Sequence, residues 1–166
     1  YLSLSSPFGV LAQEQEYVLP YPGFMPGHPM YKIVRIIDKI QEWWGFGNLA
    51  KFKYHLGTAD KKLVEAKILF EYKQYLLASQ VLSQYENHLL KAGFYLKEAK
   101  SEGKNIAEKA VLFRSAIAKH SEVIESLGKE LPESFLWVPE KAEPQKIEIK
   151  TLFERELRIG KELEAE

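Results

Sequence analysis

Hydrophobic residues recur every three or four positions along the middle of the chain, in three successive runs. This spacing places them on one side of an α-helix, whereas a half-buried strand would alternate them at every second position. The pattern therefore predicts three long helices, each with one apolar stripe. The stripes consist of Leu49, Phe52, Leu56, Ala59, Leu63, Ala66 and Phe70; of Tyr75, Ala78, Leu82, Tyr85, Leu89, Ala92, Leu96 and Ala99; and of Ile106, Ala110, Phe113, Ile117, His120, Ile124, Leu127 and Leu131.

The breaks between the three runs are short. Lys73 and Gln74 interrupt the pattern between the first two runs, and residues 101–103 separate the second from the third. Gly103 suits the left-handed backbone conformation that often ends a helix. Short connections make consecutive helices antiparallel. The predicted fold class is therefore all-α, an antiparallel helical bundle over residues 30–135.

The segments on either side of the long helices are expected to complete this fold. Residues 13–29 hold four of the eight prolines among large apolar residues, which predicts an extended proline-rich strap across the bundle. A shorter N-terminal helix follows Pro29. Its apolar side predicts that this helix packs against the three long helices as the fourth wall of the bundle. The alternative is that it binds a membrane interface. Residues 136–166 indicate a linker and a charged C-terminal helix, which packs on the core, extends into solvent or pairs with a second copy.

Residues 1–12 are predicted to be the remnant of a secretory signal. This mostly apolar segment contains Pro7 and ends at the small residue Ala12, directly before a polar stretch. An ordinary N-terminal arm is the alternative. No later apolar run approaches the ~18 residues needed to span a membrane. We therefore expect an extracytoplasmic location, which is periplasmic, cell-surface or secreted.

The composition removes several classes of function. The 166 residues include no cysteine, which excludes disulfides, zinc–thiolate sites, iron–sulfur clusters and cysteine nucleophiles. Basic and acidic residues number 23 each, so no net positive charge favours nucleic acid. No spacing typical of a serine–histidine–acid triad, a glycine-rich phosphate loop or a pair of catalytic carboxylates stands out. We expect neither an enzyme nor a cofactor.

One polar residue interrupts the apolar stripes. Antiparallel pairing of the second and third long helices places His120 opposite Tyr85. We expect a buried histidine that is hydrogen-bonded to Tyr85 or to a neighbouring carboxylate, with a metal ligand or a pH-sensitive switch as the alternative. A metal site would need further ligands, and only His88 and Glu86 are candidates. His55 is expected to lie at a different level along the hairpin from His88.

Two parts of the sequence resemble a known family. One is Leu19-Pro20-Tyr21-Pro22-Gly23, continuing through His28-Pro29-Met30-Tyr31; the other comprises Ala59, Leu63, Glu65-Ala66, Tyr85, and Lys119-His120 leading to Pro132. Over about residues 17–135, the chain is similar to the exported bacterial family known as domain of unknown function 5667. The resemblance implies an extracytoplasmic helical domain that follows a signal peptide or a membrane anchor. It also implies a histidine near position 120 and no enzymatic role, and some members look like the outer part of membrane-bound regulators, including anti-sigma-factor-like proteins.

These observations together predict a non-enzymatic exported helical bundle that acts as an interaction or structural module of the bacterial cell envelope. The expected partner is an unidentified protein or a second copy of the chain. The candidate interaction or switch residues are Tyr21 and Phe24 in the strap, Trp43 and Trp44 at the end of the first helix, and His120, Tyr85 and His88 in the bundle. The alternative function is an extracytoplasmic metal-binding or pH-sensing domain that uses His120.

Overall fold

The part of the chain that the structure describes folds into five helices and one small two-stranded sheet. The computed structural model describes residues 16–23, 25, 28–44 and 47–165, with the side chains of 38 and 41–44 left out. The elements are α1 (Tyr31–Trp44), α2 (Asn48–Glu71), α3 (Tyr75–Ser101), α4 (Ala107–Glu130), β1 (Phe135–Trp137), β2 (Gln145–Ile147) and α5 (Ile149–Ala165). The predicted helical fold class, with three long helices, a shorter first helix and a last helix, is confirmed.

The helices α2 and α3 form an antiparallel hairpin that closes through a three-residue turn. At the end of α2, the N–H of Lys73 donates to the carbonyl of Phe70 at 2.9 Å, and the N–H of Gln74 donates to that of Leu69 at 2.8 Å. This pair of hydrogen bonds defines a Schellman motif, which satisfies carbonyls that the helix end leaves unpaired. Lys73 adopts the left-handed φ of 59° that the motif requires.

The end of α3 repeats this motif with a glycine at the left-handed position. Gly103 has φ 75°, its N–H donates to Lys100 at 3.0 Å, and the N–H of Lys104 donates to Ala99 at 3.1 Å. The helix end predicted at Gly103 is confirmed. The chain then turns and enters α4. Just before this helix, the side chain of Asn105 accepts a hydrogen bond from the N–H of Ala107 at 3.1 Å.

The predicted stripes form the core of the bundle. All members of the second stripe are buried, and the first and third stripes deviate only at their ends, where Leu49, Ile106, Ala110 and Leu131 are partly exposed. Alanines recur among the fully buried positions of α2 and α3. Small residues let two helix backbones approach closely, and α2 packs against α3 along its whole length. Aromatic side chains fill the wider spaces, as where Phe52 meets Phe113 with ring centres 5.7 Å apart.

The last helix, rather than the first, completes the bundle. Ile149 and Phe153 of α5 are 1% and 5% exposed, and the ring of Phe153 packs edge-on against Phe70, with centres 5.1 Å apart. Of the three alternatives for the C-terminal helix, the structure shows packing on the core. The expectation that α1 forms the fourth wall is wrong, because α5 covers the surface that the other long helices leave open.

The segment between α4 and α5 contains the antiparallel strands β1 and β2, in which Phe135 pairs with Ile147 and Trp137 with Gln145. The residues from 136 to the start of the last helix were expected to be a linker, without regular structure. A short apolar run between prolines is typical of a strand. Phe135 contacts Tyr75 with ring centres 4.8 Å apart, so the sheet covers one end of the hairpin.

The described part of the expected strap has neither helix nor strand. Tyr17, Leu19 and Met25 are partly buried against the core, whereas Val18 and Tyr21 are 79% and 97% exposed. The rest of the expected strap lies outside the described residues, as do residues 1–12 with the expected signal remnant. Within the described residues, none of the helices combines the length and the apolar content needed to cross a lipid bilayer.

Candidate functional site

The stripe position of His120 brings it to the centre of the bundle. His120 is 1% exposed, and its Nε2–H donates to the Oδ1 of Asp60 at 2.7 Å. Its Nδ1 lies 3.3 Å from the hydroxyl of Tyr85. In the tautomer that donates from Nε2, the lone pair lies on Nδ1 and accepts from the Tyr85 hydroxyl. The prediction of a buried histidine bonded to Tyr85 or to a carboxylate is confirmed, with both partners present.

Asp60 receives a second hydrogen bond from the N-terminal segment. The hydroxyl of Tyr17 donates to Oδ2 of Asp60 at 2.6 Å, so each carboxylate oxygen accepts one bond. Burial raises the pKa of the Tyr17 hydroxyl, and the adjacent Asp60 carboxylate raises it further. Tyr17, Asp60, Tyr85 and His120 form the His120 cluster. Sequence reasoning missed Asp60 and Tyr17 because neither lies on an apolar stripe.

A second polar group is buried beside this cluster. Glu156 of α5 is 2% exposed, and the guanidinium Nη2 of Arg155 lies 2.7 Å from a Glu86 oxygen and 3.6 Å from a Glu156 oxygen. Among the described residues, neither oxygen of Glu156 has a hydrogen-bond partner. Burial and the nearby Glu86 carboxyl raise the pKa of Glu156 to about 8, against the opposing effect of Arg155. Glu86, Arg155 and Glu156 form the Glu156 cluster.

Tyr85 connects the two clusters, since it precedes Glu86 on α3. Burial raises the pKa of the Tyr85 hydroxyl, and the negative charges of Glu156, Asp60 and Glu86 raise it further. The hydroxyl therefore stays protonated and acts as a hydrogen-bond donor or acceptor rather than as a base. Together, the clusters form a buried polar layer to which each of α2, α3, α4 and α5 contributes a side chain.

His88 meets His55 in the structure. The two Nδ1 atoms lie 2.9 Å apart, and Tyr95 stacks on His55 with ring centres 5.3 Å apart. The expectation that His55 and His88 lie at different levels is wrong. Counted from the hairpin turn, His55 lies only slightly farther along α2 than His88 lies along α3. Two imidazole side chains span the resulting offset of about 4.5 Å, which is less than one helical turn.

The histidine pair, His55 with His88, lies near the positive charges of Lys51 and Lys91. Burial lowers the pKa of His55 to about 4, with further contributions from His88, Lys91 and Lys51. A neutral His55 can share one hydrogen bond with His88 because one Nδ1 donates and the other accepts. Among the described residues, no group of three or more histidine, aspartate or glutamate side chains is arranged to hold a metal ion.

The outer surface of α1 is the other unusual feature. Ile33, Ile36, Ile37 and Ile40 are 47%, 59%, 47% and 48% exposed. Single exposed aliphatic residues are ordinary on a protein surface, whereas several adjacent ones mark an interaction site. We call these four residues the α1 isoleucine face.

A polar anchor holds the first turn of α1 to α2. The Tyr31 hydroxyl donates to Oε1 of Glu65 at 3.0 Å and accepts a bond from Nζ of Lys62 at 2.9 Å. Lys62 also pairs with Oε2 of Glu65 at 2.9 Å. Burial lowers the pKa of Lys62, but the hydrogen bonds to Tyr31 and Glu65 outweigh this effect and raise it overall.

The remaining candidate contact residues are not gathered into one site. Tyr21 is 97% exposed, and Phe24 lies outside the described residues. Trp43 and Trp44 are the last two residues of α1, and their side chains lie outside the described part of the structure.

Of the residues in the polar layer, Tyr17 lines one of three grooves on the described surface, and the others line none of these three. The first groove lies between the end of α4 and the start of α5. The second, of about 460 Å³, lies among α3, α4 and α5 near Phe113 and Leu163. The third lies between Tyr17 and α4. None of these three is lined by Asp60, His120 or Glu156. Asp60, His120 and Glu156 therefore join helices and do not face these three grooves.

Comparison with known proteins agrees with the resemblance seen in the sequence. Residues 23–134, two thirds of the chain, match the family described as "Domain of unknown function (DUF5667)". No curated protein matches the chain, and no solved structure does. The matched region begins before α1 and ends just after α4, so it contains the α2–α3 hairpin and His120. The chain therefore belongs to the family of domain of unknown function 5667.

Proposed function

We propose that the chain is a non-enzymatic, extracytoplasmic interaction module of the bacterial cell envelope, and that it makes contact through the α1 isoleucine face. The observation that carries this proposal is the exposure of four neighbouring isoleucines, each about half exposed, on a helix outside the closed core. A protein that leaves so much aliphatic surface on one helix gains free energy when another component covers it.

The tethering of α1 supports this function. Its first turn is fixed by Tyr31 to the Lys62–Glu65 pair, so the isoleucine face has a defined orientation relative to the bundle. The hydrophobic core includes no described side chain of α1. The bundle then acts as a rigid support, and α1 as the contact element.

Photo-crosslinking in cells that produce the exported chain tests this proposal. A photoreactive residue replaces Ile36 in one variant and Val111 of α4 in another, because these positions are 59% and 57% exposed. We expect adducts with protein or lipid at position 36, in the envelope fraction, and none at position 111. Equal labelling at both positions, or no adduct at position 36, would contradict the proposal.

A second candidate function, pH sensing, is favoured by the buried position of Glu156 next to Glu86. A carboxyl group with a pKa near 8 changes its charge within a pH range that an envelope protein meets. Hydrogen exchange of α5, corrected for the intrinsic effect of pH, tests it. Faster exchange at pH 9 than at pH 6 supports sensing, and equal exchange contradicts it.

A further inference from the structure

We infer that the α1 isoleucine face binds an anionic phospholipid bilayer. In this arrangement α1 lies in the bilayer interface, parallel to the membrane plane. This inference rests on the proposed function, because it names the component that the same face contacts. It goes beyond that proposal by assigning the chemistry of the contact, which is aliphatic burial combined with attraction between lysines and lipid phosphates.

The geometry of α1 fits an interfacial helix. Successive residues are about 100° apart around a helix axis, so Ile33, Ile36, Ile37 and Ile40 lie within an arc of about 100°. No charged residue falls inside that arc. A helix that lies on a membrane needs such an uninterrupted apolar face, which enters the boundary between headgroups and acyl chains by about 5–10 Å.

The charges next to the isoleucine face are positive. Lys32 and Lys39 occupy the helix positions that border the face, and both are exposed, as is Arg35 beyond them. By helix position, Asp38 and Glu42 lie on the side farthest from the isoleucines. Lysines at the border of an apolar face can extend their ammonium groups to the phosphate level, where each adds attraction to an anionic membrane.

Two further observations favour a bilayer over a second copy of the chain. A stable dimer buries about 800 Å² on each partner, and four half-exposed isoleucines on one helix fall well short of this area. A bilayer requires no such minimum, since binding grows with each apolar group inserted. The helix also ends in Trp43 and Trp44, and tryptophan, like tyrosine, is enriched at membrane interfaces.

Vesicle sedimentation with the full 166-residue chain tests this assignment. The vesicles consist either of phosphatidylcholine alone or of phosphatidylcholine mixed with phosphatidylglycerol. We expect the chain to sediment with the anionic vesicles, and added salt to weaken this binding. The double variant Ile36→Gln with Ile40→Gln should bind about tenfold or more weakly, because two inserted side chains are lost. The double variant Lys32→Gln with Lys39→Gln should bind several-fold more weakly and depend less on salt.

The matched control replaces Val111 and Leu136 with glutamine. These residues are 57% and 56% exposed, lie outside α1, and should leave vesicle binding unchanged. Circular dichroism and melting temperature are compared for all variants, so that loss of folding is recognised separately.

The outcomes separate the lipid assignment from the proposed function. If the chain does not sediment with anionic vesicles, the lipid assignment is overturned. If position 36 nevertheless cross-links to a protein in cells, the isoleucine face remains the contact surface and the interaction module stands. A loss of binding in the Val111 and Leu136 control equal to that of the isoleucine variant also overturns the lipid assignment, because insertion then does not depend on α1.

Discussion

His120 donates a hydrogen bond from Nε2 to Oδ1 of Asp60 at 2.7 Å, although the two residues are 60 positions apart in the chain. The bond joins α4 to α2 inside the bundle. It satisfies a carboxylate that is almost fully buried, and such a group is costly without partners. The bond ties one position of α4 to one position of α2, so it helps to specify the register of the two helices.

The first prediction concerns the free energy of unfolding of a His120→Ala variant. We expect this substitution to lower it by about 1–3 kcal/mol, because the Asp60 carboxylate loses a donor and a small cavity remains. Chemical denaturation at pH 7 measures this change.

A double-mutant cycle provides the control. The variants His120→Ala and Asp60→Ala are measured alone and together, and the coupling free energy should be about 0.5–3 kcal/mol. Fully additive effects would show that the hydrogen bond makes no specific contribution and that His120 acts through packing alone.

The sequence was sufficient to predict the long helices and the position of His120. Their stripes repeat every three or four residues, and no competing structure buries that pattern. The position of Tyr85 opposite His120 could be predicted because the connection between the second and third long helices is short. Residues at equal distances from a short connection lie side by side in an antiparallel pair of helices. Gly103 could be assigned to a helix end because it interrupts two strong runs.

Glu156 was missed although the same reasoning could have found it. The buried positions of α5 are Ile149, Phe153, Glu156 and Gly160, which follow the same spacing as the stripes of α2–α4. The many charges of this helix indicated a solvated surface, so Glu156 was not assigned to its buried side.

Asp60 could also have been found in the sequence, from its distance to the turn between α2 and α3. Counted from the turn between the two helices, Asp60 lies nearly as far along α2 as Tyr85 lies along α3, so the two face each other. The exposure of α1 could not be predicted, because its apolar pattern is the same whether a bundle or a membrane covers it.

The second prediction concerns the pH dependence of stability. Burial and Glu86 raise the pKa of Glu156 to about 8, well above that of an unfolded chain. The folded state then binds more protons than the unfolded state between about pH 4.5 and 8. The Glu156 carboxyl therefore makes the protein less stable as the pH rises through this range. We expect Glu156→Gln to be more stable than the wild type at pH 8.5, and to differ less at pH 5.

The control for this effect is Glu154→Gln, an exposed carboxylate on the same helix. Unfolding is followed by circular dichroism from pH 5 to pH 9 for all three proteins. A Glu156→Gln profile that runs parallel to the wild-type profile would contradict the assignment of the pH dependence to this carboxyl group.

The third prediction compares the two Schellman motifs. Lys73 adopts a φ of 59°, which costs roughly 1 kcal/mol for a residue with a Cβ atom, whereas Gly103 adopts a φ of 75° freely. We expect Lys73→Gly to raise the free energy of unfolding by a few tenths to 1 kcal/mol, and Gly103→Ala to lower it by about 1 kcal/mol. Thermal melting of both variants measures the two opposite shifts, and shifts of the same sign would show that side-chain contacts outweigh the backbone conformation.

The fourth prediction uses two helical glycines in different surroundings. A Cβ atom added at Gly57 of α2 meets nothing within 4 Å, whereas one at Gly160 of α5 lies 3.3 Å from Cγ2 of Ile117. Ile117 is 1% exposed and β-branched, so its side chain has little freedom to move aside. Gly57→Ala should stabilise the protein by about 0.5–1 kcal/mol through helix propensity. Gly160→Ala should destabilise it by about 1 kcal/mol or more, because α5 must shift away from α4. Chemical denaturation of both variants tests this, and a stabilising Gly160→Ala would mean that α5 packs less closely on α4 than the structure indicates.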